Sequence, residues 1–181
     1  MTRAFKTIYK KQDAFSKLAK RSGYRSRSSI KLLEVQEKDK LIKPRSKVLA
    51  LFSVDKKVME PISGIHYLNK SVEELTKEDF EINNQNILPF DVVLSDIAPN
   101  ISGISDIDNA QMIELLQKVK NCIDDFLNVN GHALSKVFQG ESFDNMMVYM
   151  KTNFQKVKIR KPNSSRSNSK ETYLLGLGKK T

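Results

Sequence analysis

The sequence predicts an α/β fold with a largely parallel sheet, on three observations. Apolar runs of buried-strand length, "SKVLALF" at 46–52 and "FDVVLSD" at 90–96, alternate with segments of helical periodicity. Between them and the C-terminal third lies "DIDNAQMIELLQKVKNCIDDFLNVNG", which sets Met112, Leu115, Leu116, Val119, Ile123 and Leu127 at helical spacing. The last two strand candidates, "QKVKIRK" and "ETYLLGLG", are joined by the Ser/Asn-rich loop "PNSSRSNSK" rather than by a helix, so that pair is expected to be antiparallel. Strands alternating with helices imply a sheet covered on both faces.

Each element has its own signal. "KQDAFSKLAKRSG" reads as a short basic helix ending at Gly23, and "RSRSSIKLLEVQEKDKLI" as a second helix with Ile30, Leu33 and Leu41 or Ile42 inward. "GIHYL" at 64–68 is a weaker strand candidate and "SVEELTKEDF" a short helix. Gly131 follows the long helix as a stop signal, and "HALSKVF" comes after it. The helix "ESFDNMMVYMKTNF" carries Met146, Met147 and Met150, which read as core filler.

Composition bounds the class. The chain has 181 residues, 39% hydrophobic and 29% charged, which fits one globular domain. No apolar run reaches membrane-spanning length, and the start "MTRAFKTIYKK" lacks the apolar core of a secretory signal. A single cysteine, Cys122, excludes an internal disulfide, and His66 and His132 lack the neighbours of a zinc site, so no metal is expected. These features suit a cytoplasmic protein, although the basic, acid-poor start equally suits import into the mitochondrial matrix.

The net charge of +10 is unevenly placed. Residues 1–30 carry nine Lys/Arg against one acid, Asp13, and residues 151–170 carry seven against none, so the rest is net acidic. Two basic segments interleaved with Ser, Asn and Tyr point to a polyanion, with nucleic acid favoured over a merely solvated surface. Residues 1–30 are read as a basic RNA-binding segment and 31–181 as the folded domain.

Four charges sit where charge is awkward. Lys31 interrupts the inner side of the second helix, Asp96 ends a buried strand in "SDIAPN", Lys136 lies inside "HALSKVF", and Glu171 begins the last strand. Individually each has an ordinary reading: Asp and Asn as turn residues, Lys136 as a snorkelling side chain, Lys31 and Glu171 as surface charges. In an open parallel sheet, however, ligands sit beyond the carboxyl ends of the strands, where these four would converge with near-zero net charge.

"RSRSSIKLLEVQEKDKLIKP", "DVVLSDIAPNISG", "SKVFQGESFD" and "VKIRKPNSSRSNSKETYLLGLG" together, in that order, resemble the FtsJ/RrmJ family of ribosomal RNA ribose 2′-O-methyltransferases, mitochondrial members included. The resemblance implies a Rossmann-like methyltransferase fold, S-adenosylmethionine as donor, and ribosomal RNA or the large ribosomal subunit as partner, with no membrane and a monomeric state. It places the family's catalytic set on Lys31, Asp96, Lys136 and Glu171, and cofactor contacts on Asp55 and Asp96. The RNA backbone is expected at Arg25, Arg27, Lys158, Arg160, Lys161 and Arg166.

One region departs from the family. No glycine occurs between Gly23 and Gly64, so the Gly-rich cofactor loop after the first strand is absent. From Ser53 to Gly64 there are too few residues, Pro61 among them, for a helical crossover and another strand. The sheet is therefore expected to be shortened by about one strand and one helix. Ser71 stands where the family has an aspartate for the adenine amine. Two readings stay open: an RNA methyltransferase with an altered donor pocket, or a non-catalytic RNA-binding or ribosome-assembly factor. A strand lost beside the first also exposes an apolar edge prone to self-association.

Overall fold

The computed structural model describes residues 15, 17, 19, 21–24, 27–51, 64–83, 85–100, 102–165 and 169–181. Helical backbone at Phe15, Lys17, Ala19 and Arg21 turns at Gly23, whose φ of 75° needs no Cβ accommodation, and Tyr24 N–H donates back to Ala19 O at 2.8 Å. Helix α1 then spans Arg27–Asp39. It ends where Lys40 takes a left-handed φ of 51° and its N–H closes on Gln36 O. The Gln36 amide replaces the next turn, pairing both the N–H and the C=O of Ile42 at 2.9 and 2.8 Å.

The main sheet contains β1 (Val48–Leu51), β4 (Phe90–Ser95), β5 (Leu127–Phe138), β6 (Phe154–Arg160) and β7 (Glu171–Lys179) in the order β1-β4-β5-β7-β6. Strands β1, β4 and β5 are mutually parallel, while β7 runs antiparallel to both β5 and β6, as the loop between the last two strands implied. A small hairpin, β2 (Glu81–Ile82) with β3 (Gln85–Asn86), precedes β4. Helices α2 (Ser105–Phe126) and α3 (Glu141–Asn153) complete the α/β architecture.

Period-two alternation divides the sheet into two faces. Val93, Ala133, Val137 and Leu174 point into the larger core, against Met112, Leu116, Val119 and Ile123 of α2 and Met146 and Met150 of α3. Phe80 closes this core, stacked edge-on against both Phe90 and Phe126 with centroids 5.1 and 4.9 Å away. On the opposite face Leu134, Tyr173 and Leu175 pack with Val35 of α1 and Leu41, flanked by Leu32 and Leu94.

Several sequence expectations change. "GIHYL" forms no strand; residues 65–69 are irregular and expose Ile65, Tyr67 and Leu68. The physical reason is lack of a partner: among the described residues β1 is the sheet edge, and a short segment without a ladder does not hold as a strand. "SVEELTKEDF" breaks into two 3-10 turns at Val72–Glu74 and Lys77–Phe80, each closed by a capping box. Gly131 lies within β5 rather than after α2, which stops at Phe126. There a Cβ would stand 2.7 Å from the Leu127 side chain, so close packing requires the glycine.

Helix α1 is fastened to β6 by ion pairs absent from the sequence expectations. Asp39, with a side chain only 1% exposed, accepts from Arg160 Nε and Nη2 at 2.6 and 2.7 Å and from Lys158 Nζ at 2.8 Å. The Arg160 hydrogen bonds lead the effects that hold its carboxyl down at about 2 against an ordinary 3.8, despite the opposing effect of burial. A depressed carboxyl contributes stability above its unfolded value that is lost as pH falls through the folded one. Asp39→Asn should therefore lower stability at pH 7 by about 2 kcal/mol. In chemical denaturation between pH 6 and 2, the wild type should lose that advantage progressively below pH 4. Parallel curves for the two proteins would refute the fastening.

Candidate active site

The strand alternation that builds the smaller core also builds the site. Leu94 of β4 is followed two residues on by Asp96, Leu134 of β5 by Lys136, and Leu175 of β7 is preceded by Tyr173 and Glu171. All therefore stand on the face covered by α1, apolar at one end and charged at the other. Lys31 lies one turn before Val35 on the same stripe of α1.

The four charges meet through two pairs. Lys31 Nζ reaches Glu171 Oε2 at 2.6 Å, and Lys136 Nζ donates to the Asp96 carbonyl at 2.6 Å while standing 3.3 Å from Asp96 Oδ1. Lys31, Asp96 and Lys136 are only 9%, 8% and 7% exposed, so each charge is compensated at the strand ends instead of by water. Burial pushes the Glu171 carboxyl up, but Lys31, then Lys136 and Ser169 Oγ, outweigh it and leave the group below its ordinary value. The cluster holds two cations and two carboxylates.

Tyr173 joins these pairs and was missed by sequence reasoning. Paired with Lys136 across the β5–β7 ladder, it donates its hydroxyl to Asp96 Oδ1 at 2.7 Å. Burial, and then the Asp96 charge, push the phenol far above its ordinary value, so the proton stays on oxygen. In sequence its only signal is the face it shares with Glu171 two residues earlier. Asp96 is fixed from the main chain as well, its N–H bonding to Leu51 O at 3.0 Å. Beyond it, Ser102 and Gly103 N–H groups bond to the Asp108 carboxylate at 2.7 and 3.2 Å and tie the loop to the first turn of α2.

The other candidate positions divide. Asp55, Arg25 and Arg166 lie outside the described residues, as does the side chain of Arg27. Lys158 and Arg160 spend their charge on Asp39, and Lys161 Nζ donates to Ser169 O at 2.6 Å, closing the base of the β6–β7 loop. Glu34 holds the same loop by accepting from the N–H groups of Asn163 and Ser164 at 2.6 and 3.0 Å. Ser71 is exposed in its capping box. Among the described residues no group of three or more His, Cys, Asp or Glu could hold a metal ion, and no helix is long and apolar enough to cross a membrane.

The chain is also similar to known proteins along most of its length. Residues 46–179 match the model of the FtsJ-like methyltransferases. Ribosomal RNA large subunit methyltransferase E of Methylobacillus flagellatus is 37% identical over 189 aligned positions, covering 91% of this chain and 90% of the relative. The protein of that name from Stenotrophomonas maltophilia is 36% identical over 195 positions, covering 93% and 90%. A crystal structure assigned as a ribosomal RNA methyltransferase of Plasmodium falciparum shares the fold, with a TM-score of 0.71, 23% identity, and coverage of 86% of this chain and 98% of the other. With the family pattern running through the sheet and relatives sharing more than a third of their residues along nearly their whole length, the chain belongs to the FtsJ-like methyltransferase family.

Proposed function

We propose that the protein methylates a ribose 2′-hydroxyl of large-subunit ribosomal RNA, with S-adenosylmethionine as donor. The observation that carries this reading is the meeting of Lys31, Asp96, Lys136 and Glu171 at the carboxyl ends of the parallel strands in a chain of this family.

The donor set fits a cationic methyl donor at Asp96, a buried carboxylate at the end of a parallel strand, with Asp55 as a further candidate contact. Ser71 counts against the adenine end of such a donor, since it supplies no carboxylate for an adenine amine. When bound, the donor supplies an activated methyl on a sulfonium, which leaves as a thioether when the hydroxyl oxygen takes the methyl and gives up its proton.

The chain's own groups would align and polarise the acceptor. An ammonium has three N–H donors, and Asp96 engages Lys136 through both its carbonyl and its carboxylate, which aims the remaining donor. As an ammonium Lys136 polarises the acceptor hydroxyl, whose proton leaves to solvent; to take that proton itself it would first have to give up one of its own. Tyr173 fixes the Asp96 carboxylate, and Glu171 holds Lys31 against the sugar side of the site. Alignment supplies much of the rate in such a displacement.

Lys136→Met, close in length and uncharged, should lower methyl transfer to large subunits by about 100-fold or more in protein that is still folded, with a lower melting temperature because Asp96 loses its buried cation. Activity within threefold of wild type would remove Lys136 from the chemistry.

Calorimetric titration with S-adenosylmethionine should give saturable heat that Asp96→Ala abolishes. Absence of heat from folded wild-type protein would instead favour the non-catalytic RNA-binding reading. Lys31→Met and Glu171→Gln should act as one unit, the double variant losing no more activity than the worse single. Additive losses would separate the two.

A further inference from the structure

Of the basic residues chosen from sequence, the three whose side chains are described, Lys158, Arg160 and Lys161, are engaged within the molecule, whereas another set is not. Lys38 in the last turn of α1, and Lys40, Lys43, Arg45 and Lys47 between α1 and β1, are all exposed. Among the described residues no ion pair or side-chain hydrogen bond occupies their cationic ends, and the acid in their midst, Asp39, is turned inward onto Lys158 and Arg160.

This segment is rigid. Gln36 pins Ile42 by two bonds, a turn closes with Ser46 N–H to Lys43 O at 3.0 Å and Lys43 N–H to Ser46 Oγ at 3.1 Å, and Lys47 N–H donates to Asp91 Oδ2 at 2.8 Å. Lys40 and Arg45 hold left-handed φ values of 51° and 68°, where glycine or asparagine would be less strained. A helix C-terminus accounts for cations at 38 and 40. It does not account for an arginine at 45.

The location is the amino end of the parallel strands. Lys47 brackets Asp91 at the start of β4, and Lys43 lies close enough to His132 of β5 to act with burial in holding that imidazole below its ordinary pKa. At about 3.3 Å per residue, the length of β4 separates this end from Asp96 by about 20 Å.

We infer that Lys43, Arg45 and Lys47, with Lys40 beside them, form a second RNA-backbone surface, which holds phosphates of the substrate remote from the reacting ribose. This rests on the reading of the chain as an RNA-acting protein. Phosphates fit better than a protein partner, because the surface offers fixed cations and little apolar area, with Ile42 and Pro44 alone between them.

Fluorescence anisotropy with a labelled large-subunit rRNA stem-loop, and with an unrelated RNA of equal length, tests this over a range of salt. The salt slope of log Kd should fall by about 3 in the Lys43→Ala, Arg45→Gly, Lys47→Ala triple variant and by about 1 in Arg45→Gly alone, equally on both RNAs. Arg45→Gly should keep or raise its melting temperature while losing affinity, a split that a structural arginine does not produce. In the methylation assay the triple variant should raise KM for RNA and hold kcat.

An unchanged slope, or affinity lost only together with the melting temperature, overturns the inference, as does loss of binding to anionic vesicles with RNA binding intact. Wild-type protein that transfers no methyl, yet shows the variant-dependent slope, would refute the methyltransferase reading and leave this surface standing.

Discussion

The whole charged cluster depends on where α1 lies. Three elements of the sheet deliver Asp96, Lys136, Tyr173 and Glu171, but Lys31 comes from a helix that touches the sheet through a narrow apolar strip, chiefly Leu32 and Val35. Such a strip resists separation better than it resists sliding, because hydrophobic contact is non-directional. Direction comes from charge. Asp39 binds β6 at one end of the helix, Glu34 binds the β6–β7 loop near its middle, and Lys31 binds Glu171 toward its start. Three contacts along one helix fix its register against the sheet.

The sheet contributes an economy of its own. Because side chains alternate, a strand whose last inward apolar residue is Leu94 must present Asp96 on the same face one step further, and the same holds for Leu134 and Lys136. The apolar cluster and the charged cluster are thus consecutive layers of one surface. Packing in the first layer sets the positions in the second, and the Lys136–Tyr173 pairing on the β5–β7 ladder ties the charged layer to main-chain hydrogen bonds.

Much of this was legible in the sequence, for reasons that can be named. "FDVVLSD" and the long helix showed because burial on both faces of a central strand and one face of a helix leaves strong patterns. The four charged positions showed because each broke an apolar pattern, and the family resemblance placed them together. Tyr173 was hidden because tyrosine is ordinary in a strand. Asp39 was hidden in "EKDKLIK", where a buried acid looks like one more solvated charge. "GIHYL" misled for the opposite reason: its local pattern suits a strand, but strands are completed by neighbours, and a missing neighbour leaves no local mark.

Charge placement also keeps the cluster's ion pairs away from the outer strand, β1. The outer edge at β1 contributes to the reactive cluster through Leu51 O, which fixes the Asp96 N–H, whereas the ion pairs themselves are drawn from α1, β5, β7 and the residue after β4. Those strands are held by the β5–β7 and β6–β7 ladders, on the far side of β4 from β1. Asp96 is where the two sides of the sheet join: its carboxylate is held by Tyr173 of β7 and Lys136 of β5, and its backbone N–H by Leu51 of β1.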